Sequence, residues 1–235
     1  MTPYWQSPDG TITVYCAPWE TVHAAGLVGK PDLVHADPPY GTGRDANRDF
    51  VEEGVKSGSS KARRRVFPQI EDSAPFEPAA LLALDRPTVM WGANHYSVPA
   101  SPSWIVWDKR EGQTPDDQAD AEVAWSNIGG PLRVFRHFWR GALRKTEQEA
   151  RHLHPTQKPI ALSTYVFQRA KLRPGALVFV PYLGSGPDLP AALAMGLRVV
   201  ACDVEKWCCD TAIGRLRAVT AERAAEPVGP LFAPR

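Results

Sequence analysis

Short apolar runs that end on a chemically active residue constrain this chain most. Residues 32–36 lead into Asp37, residues 176–180 into Pro181 and residues 197–202 into Asp203. Ile12–Cys16, Thr88–Trp91 and residues 104–107 have the same length and character. Such runs, apolar without strict alternation, are buried on both faces, which is the habit of parallel strands covered by helices. The stretches between them fit the covering role, with helices expected over 19–25, 78–84, 160–171, 187–195 and 206–219. Pro187 suits the first turn of a helix, where its missing N–H costs nothing. Strands alternating with helices predict a mostly parallel α/β sheet with helices on both faces.

At 235 residues the chain is long enough for one such domain. We place it over 1–220, followed by a frayed tail over 221–235. A net charge of +1 supplies no global field for nucleic acid, so any DNA contact has to come from local clusters. The four cysteines, Cys16, Cys202, Cys208 and Cys209, show neither zinc spacing nor a disulfide framework. No metal site is expected, and a reducing cytoplasmic compartment is. No apolar run has membrane-spanning length.

Two polar segments interrupt the pattern. Residues 41–67 read as a long loop carrying Arg63, Arg64 and Arg65, a charge run that fits a solvated face equally well. Residues 111–152 show no sustained period. There Arg133, Arg136 and Arg140 interleave with Phe135, Phe138 and Trp139, as expected where phosphates are held and bases stacked.

Asp37-Pro38-Pro39-Tyr40 combines a carboxylate, two prolines without backbone donors and an aromatic face at a strand end. Acceptors beside a stacking surface suit a planar substrate with an exocyclic amine. Downstream come Trp91-Gly-Ala-Asn-His-Tyr96, Trp104-Ile-Val-Trp-Asp-Lys-Arg110, His154-Pro-Thr-Gln-Lys-Pro159 and Val178-Phe-Val-Pro-Tyr-Leu-Gly-Ser-Gly186. In this order the set resembles the S-adenosylmethionine-dependent DNA amino-methyltransferases, in particular their circularly permuted beta group and its phage-type orphan enzymes. The resemblance spans residues 12–217.

The resemblance implies a Rossmann-like methyltransferase fold, S-adenosylmethionine as cofactor and double-stranded DNA as partner, and it allows a homodimer. It gives Asp37, Pro38, Pro39 and Tyr40 the catalytic role. His154, Thr156, Lys158, Pro181, Tyr182, Gly184, Ser185, Gly186 and Asp203 fall to the cofactor. Arg63, Arg64, Arg65, Arg133, Arg136 and Arg140 fall to DNA, with target recognition in 111–152. Asp37 favours adenine N6 over cytosine N4. Methylation of RNA or of a protein amide fits the motif order less well.

The chain departs from the family pattern at three places. Val180 stands where an Asp is usual, Pro18 replaces another acid after the first strand, and Pro187-Asp188 replace small hydroxylated residues. Val180→Asp is therefore expected to strengthen cofactor binding. The departures also leave open a weakened or inactive DNA-binding descendant of the fold.

Overall fold

A computed structural model describes residues 1–43, 68, 72–113, 119–140, 143–147 and 153–225. The first strands are β1 (Trp5–Gln6) and β2 (Ile12–Cys16), followed by helix α1 (Trp19–Ala24) and β3 (Leu33–Ala36). Then come α2 (Ala79–Leu82), β4 (Thr88–Trp91), β5 (Trp104–Asp108), β6 (Ala121–Ser126) and β7 (Arg133–Arg136). A short hairpin, β8 (Trp139–Arg140) and β9 (Leu143–Arg144), precedes α3 (Ile160–Arg169). The chain continues through β10 (Leu177–Val180), α4 (Asp188–Ala194), β11 (Arg198–Asp203) and α5 (Lys206–Ala225).

One sheet runs in the order β1-β2-β11-β10-β3-β4-β6-β5-β7. The block β2-β11-β10-β3-β4 is parallel throughout. β6 is antiparallel to both β4 and β5, so β4 and β5 point the same way, and β7 is parallel to β5. The carboxyl ends of all the parallel strands therefore share one edge, where ligands of open α/β sheets bind.

Alternation along each strand sorts side chains to two cores. Leu33, Val89, Trp91, Val178 and Val180 pack with Leu162, Val166, Leu189 and Ala212 from α3, α4 and α5. Val34, Met90 and Phe179 pack with Trp19, Val22 and Leu81 from α1 and α2. Among the described residues, no helix is long and apolar enough to cross a membrane.

Two sequence expectations change. Residues 111–152 are in part framework, because β6 lies inside the main sheet and β7 forms its edge. Their mixed charge hid them: β6 is half-buried at its start, and β7 is largely exposed. α5 also continues to Ala225, past the expected end of the domain at 220.

Candidate functional site

β3 delivers Asp37 to the shared sheet edge, and the two prolines turn the chain so that Tyr40 folds back on it. The Tyr40 hydroxyl donates to Asp37 Oδ1 at 2.7 Å. Burial, with the Asp37 carboxylate beside it, pushes the Tyr40 phenol well above its ordinary value, so it stays a donor. The ring lies against Gly92, where a Cβ would come within 2.1–2.5 Å of three ring atoms. Only glycine leaves room there. The His95 ring stacks on Tyr40 with centroids 5.2 Å apart and planes at 12°.

Lys158, just before α3, places its ammonium 2.5 Å from Asp37 Oδ2 and 3.3 Å from the Tyr40 hydroxyl. The same nitrogen lies 3.2 Å from Glu122 Oε2, an ion pair without hydrogen-bond alignment. Lys109, directly after β5, donates to Glu122 Oε1 at 3.0 Å. The result is a line of alternating charge, Asp37–Lys158–Glu122–Lys109. Buried Arg215 of α5 fixes its middle by donating to the Lys158 carbonyl at 2.9 Å and to Ser185 Oγ at 3.2 Å.

Burial pushes the Glu122 carboxyl up, but Lys158 and Lys109 outweigh it and hold it at about 2, below its ordinary 4.5. For Lys158, burial opposes the charge and the carboxylates of Asp37 and Glu122 outweigh it, raising its value. A depressed carboxyl contributes stability above its unfolded value that is lost as pH falls through the folded one. Acid titration of the parent protein is thus expected to lose stability between pH 4.5 and about 2 in part through Glu122. In Glu122→Gln this part of the slope disappears, which chemical denaturation at a series of pH values measures. An unchanged slope would mean that Glu122 is not held by the lysines.

At the other end of the site, β10 turns through Pro181, Tyr182 and Leu183 into Gly184-Ser185-Gly186. The Gly184 N–H donates to Asp203 Oδ2 at 2.8 Å, and the Glu205 N–H to Asp203 Oδ1 at 2.9 Å. Burial raises the Asp203 carboxyl, and these two N–H groups partly offset it. Tyr182 accepts from Trp19 Nε1 at 3.0 Å, and burial pushes its phenol up to about 12. His154 stacks on Trp207 at 4.9 Å with its Nε2 3.6 Å from Cys208 Sγ. A single cavity of about 740 Å³ joins the two ends, reaching from Asp37 and Tyr40 past Lys158 and His154 to Gly184 and Asp203.

No family model matches the sequence. The structure is nevertheless similar to a crystal structure of the M1.HpyAVI–SAM complex, with a TM-score of 0.51 and 16% identity over 87% of this chain and 98% of that one. PvuII DNA methyltransferase, which is cytosine-N4-specific, gives a TM-score of 0.51 and 13% identity over 91% of this chain and 88% of its own. The fold is that of the S-adenosylmethionine-dependent methyltransferases.

On this methyltransferase fold, most of the sequence-predicted site residues converge. Asp37, Pro38, Pro39, Tyr40, His154, Thr156, Lys158, Pro181, Tyr182, Gly184, Ser185 and Asp203 line the one cavity. Gly186 stands outside that lining, packed on α5 so closely that a Cβ would lie 2.4 Å from Ala212 Cβ. Its glycine serves helix packing. Lys158, expected to serve the cofactor, lines the cavity and holds the carboxylate of Asp37.

The arginines do not gather. Arg133 and Arg136 are three residues apart on β7, so they project to opposite faces of the sheet. Arg136 lies at the site edge and pairs with Asp108 at 3.6 Å, while Arg133 lies at the far end of the strand. Arg140 is in the β8–β9 hairpin. Arg63, Arg64 and Arg65 lie outside the described residues.

Val180 also departs from expectation. It is 1% exposed and packs with the core under α3–α5, away from the cavity lining. Alignment to a motif had fixed its position in the chain but not the face of the strand it occupies. Lys109, Glu122, His35 and Asp188 went unnoticed as site residues. For Lys109 the signal was available, since it directly follows a predicted strand.

Proposed function

We propose that this chain is a DNA methyltransferase that transfers a methyl group from S-adenosylmethionine to the exocyclic N6 amine of adenine in double-stranded DNA. The observation that carries this reading is the single cavity whose two ends are the Asp37–Tyr40 pair and the Gly184–Asp203 turn. S-adenosylmethionine, when bound, supplies an electrophilic methyl group on a cationic sulfur.

The residues present fit that cofactor. Each Asp203 oxygen accepts one backbone N–H and keeps a further lone pair for a hydroxyl group. Pro18 brings no acid, but Glu20 two residues later lines the same end of the cavity and supplies a carboxylate there.

At the other end, Lys158 and Tyr40 orient the Asp37 carboxylate, and each of its oxygens retains room to accept an amine N–H. The Pro38 carbonyl takes the second amine hydrogen. Together they turn the nitrogen toward the tetrahedral geometry of a nucleophile. As positive charge grows on that nitrogen, the fixed carboxylate stabilises it. Tyr40 offers the base the ring face that His95 does not cover, and the base has to leave the duplex to reach it. Of the three arginines, Arg136 at the site edge is the best placed for a phosphate.

Mass spectrometry of nucleosides from unmethylated DNA, incubated with the protein and S-adenosylmethionine, tests the proposal. N6-methyladenine is the expected product. N4-methylcytosine alone would replace adenine by cytosine as target. Cofactor binding with no methylated base would instead favour the inactive DNA-binding descendant.

Asp203→Ala is expected to weaken S-adenosylmethionine binding about 10- to 100-fold by calorimetry, the size of one or two hydrogen bonds to a charged acceptor. Unchanged affinity would remove Asp203 from the cofactor site.

A further inference from the structure

We infer that Asp188 is a standing anion in the cavity wall and the counter-ion of the cofactor's ammonium group, held for that purpose by His35 and Trp91. The inference rests on the reading that the cavity takes S-adenosylmethionine.

The indole N–H of Trp91 can only donate, and it lies 2.8 Å from His35 Nε2. That nitrogen must accept, so the ring hydrogen is on Nδ1, which lies 2.6 Å from Asp188 Oδ1. His35 is therefore a neutral donor, and its contact with Asp188 is a hydrogen bond to an anion rather than an ion pair. The imidazole is also fixed edge-on against Phe167 at 5.9 Å. Asp188 is 5% exposed and, among the described residues, has no other partner. A carboxylate buried with one neutral donor is costly unless a cation joins it.

Both His35 and Asp188 line the cavity. Among the described residues of the wall no lysine is left for Asp188, because Lys158 is committed to Asp37 and Glu122, and Lys109 to Glu122. The missing charge has to come from a ligand. Its place is set by the sheet. His35 is two residues before Asp37 on β3, so the two side chains share a face. Asp203 ends β11, two strands away in the order β11-β10-β3, or about 10 Å at ordinary strand spacing. Asp188 thus stands toward the reacting end, and a ligand whose hydroxyls meet Asp203 presents its other, cationic end to Asp188.

Calorimetry with S-adenosylhomocysteine and its deamino analogue tests this without turnover. The parent protein is expected to bind S-adenosylhomocysteine about 10- to 100-fold more tightly than the deamino form. Asp188→Asn, nearly isosteric, is expected to lose that preference while binding the deamino form as the parent does. Trp91→Phe, with melting curves as a control for folding, is expected to reduce the preference in part. If Asp188→Asn keeps the full preference, or weakens both ligands equally, the assignment of Asp188 is overturned. If the parent binds neither ligand, the cofactor reading itself fails.

Discussion

Asp37→Ala is expected to lower methyl transfer by at least about 10²–10³-fold, the loss seen when a preorganised electrostatic contact is removed from a developing charge. The fold is expected to survive, because Lys158 keeps Glu122 as a partner at 3.2 Å when Asp37 is gone. Cofactor affinity is expected to stay within a few-fold, since Asp203 and the Gly184 turn form the opposite end of the cavity. Turnover assays, cofactor calorimetry and melting curves on the same preparation separate these effects. Activity within a few-fold of the parent would sink the catalytic assignment. Tyr40→Phe is expected to be milder than Tyr40→Ala: it keeps the stacking face and removes only the 2.7 Å hydrogen bond to Asp37.

Val180→Asp is expected to destabilise the protein strongly, the reverse of what the motif comparison alone predicts. The side chain is 1% exposed among the apolar residues under α3–α5. The β3–β10 register sets it beside His35, which is already committed to Asp188 and Trp91, and leaving a charge buried without a partner costs about 3–5 kcal/mol. For a chain of this size that lowers Tm by roughly 6–20 °C. Thermal unfolding followed by circular dichroism measures it. A variant that melts with the parent and binds the cofactor more tightly would show that the β10 end opens into the cavity after all.

Much of the fold was legible because β2, β3, β4, β10 and β11 are apolar on both faces and need no context to be read. β6 and β7 were not, because Glu122 in β6 and Arg133 and Arg136 in β7 break the pattern that marks a buried strand. The same division holds at the site. Asp37, Tyr40, Gly184 and Asp203 are local signals: the first two follow β3, Gly184 follows β10 and Asp203 ends β11. The Lys158–Glu122–Lys109 line and the Asp188–His35–Trp91 chain draw on residues far apart in the sequence. They exist only because the sheet order brings β3, β4, β5 and β6 to one edge. Each residue alone reads as a surface charge or as a polar interruption in a hydrophobic run.

The pairing of β3 with β10 also sets a clock. Leu33 is in register with Val178, a separation of 178 − 33 = 145 residues. On a ribosome adding about 5–20 residues per second, β3 waits roughly 7–30 s for that neighbour to be made. Until then the edge of the strand that ends in Asp37 has no partner on that side, and closing so long a loop is intrinsically slow. The Gly184–Asp203 end of the cavity cannot form before β10 and β11 emerge. A nascent or truncated chain that stops short of β10 has the Asp37 strand without the site.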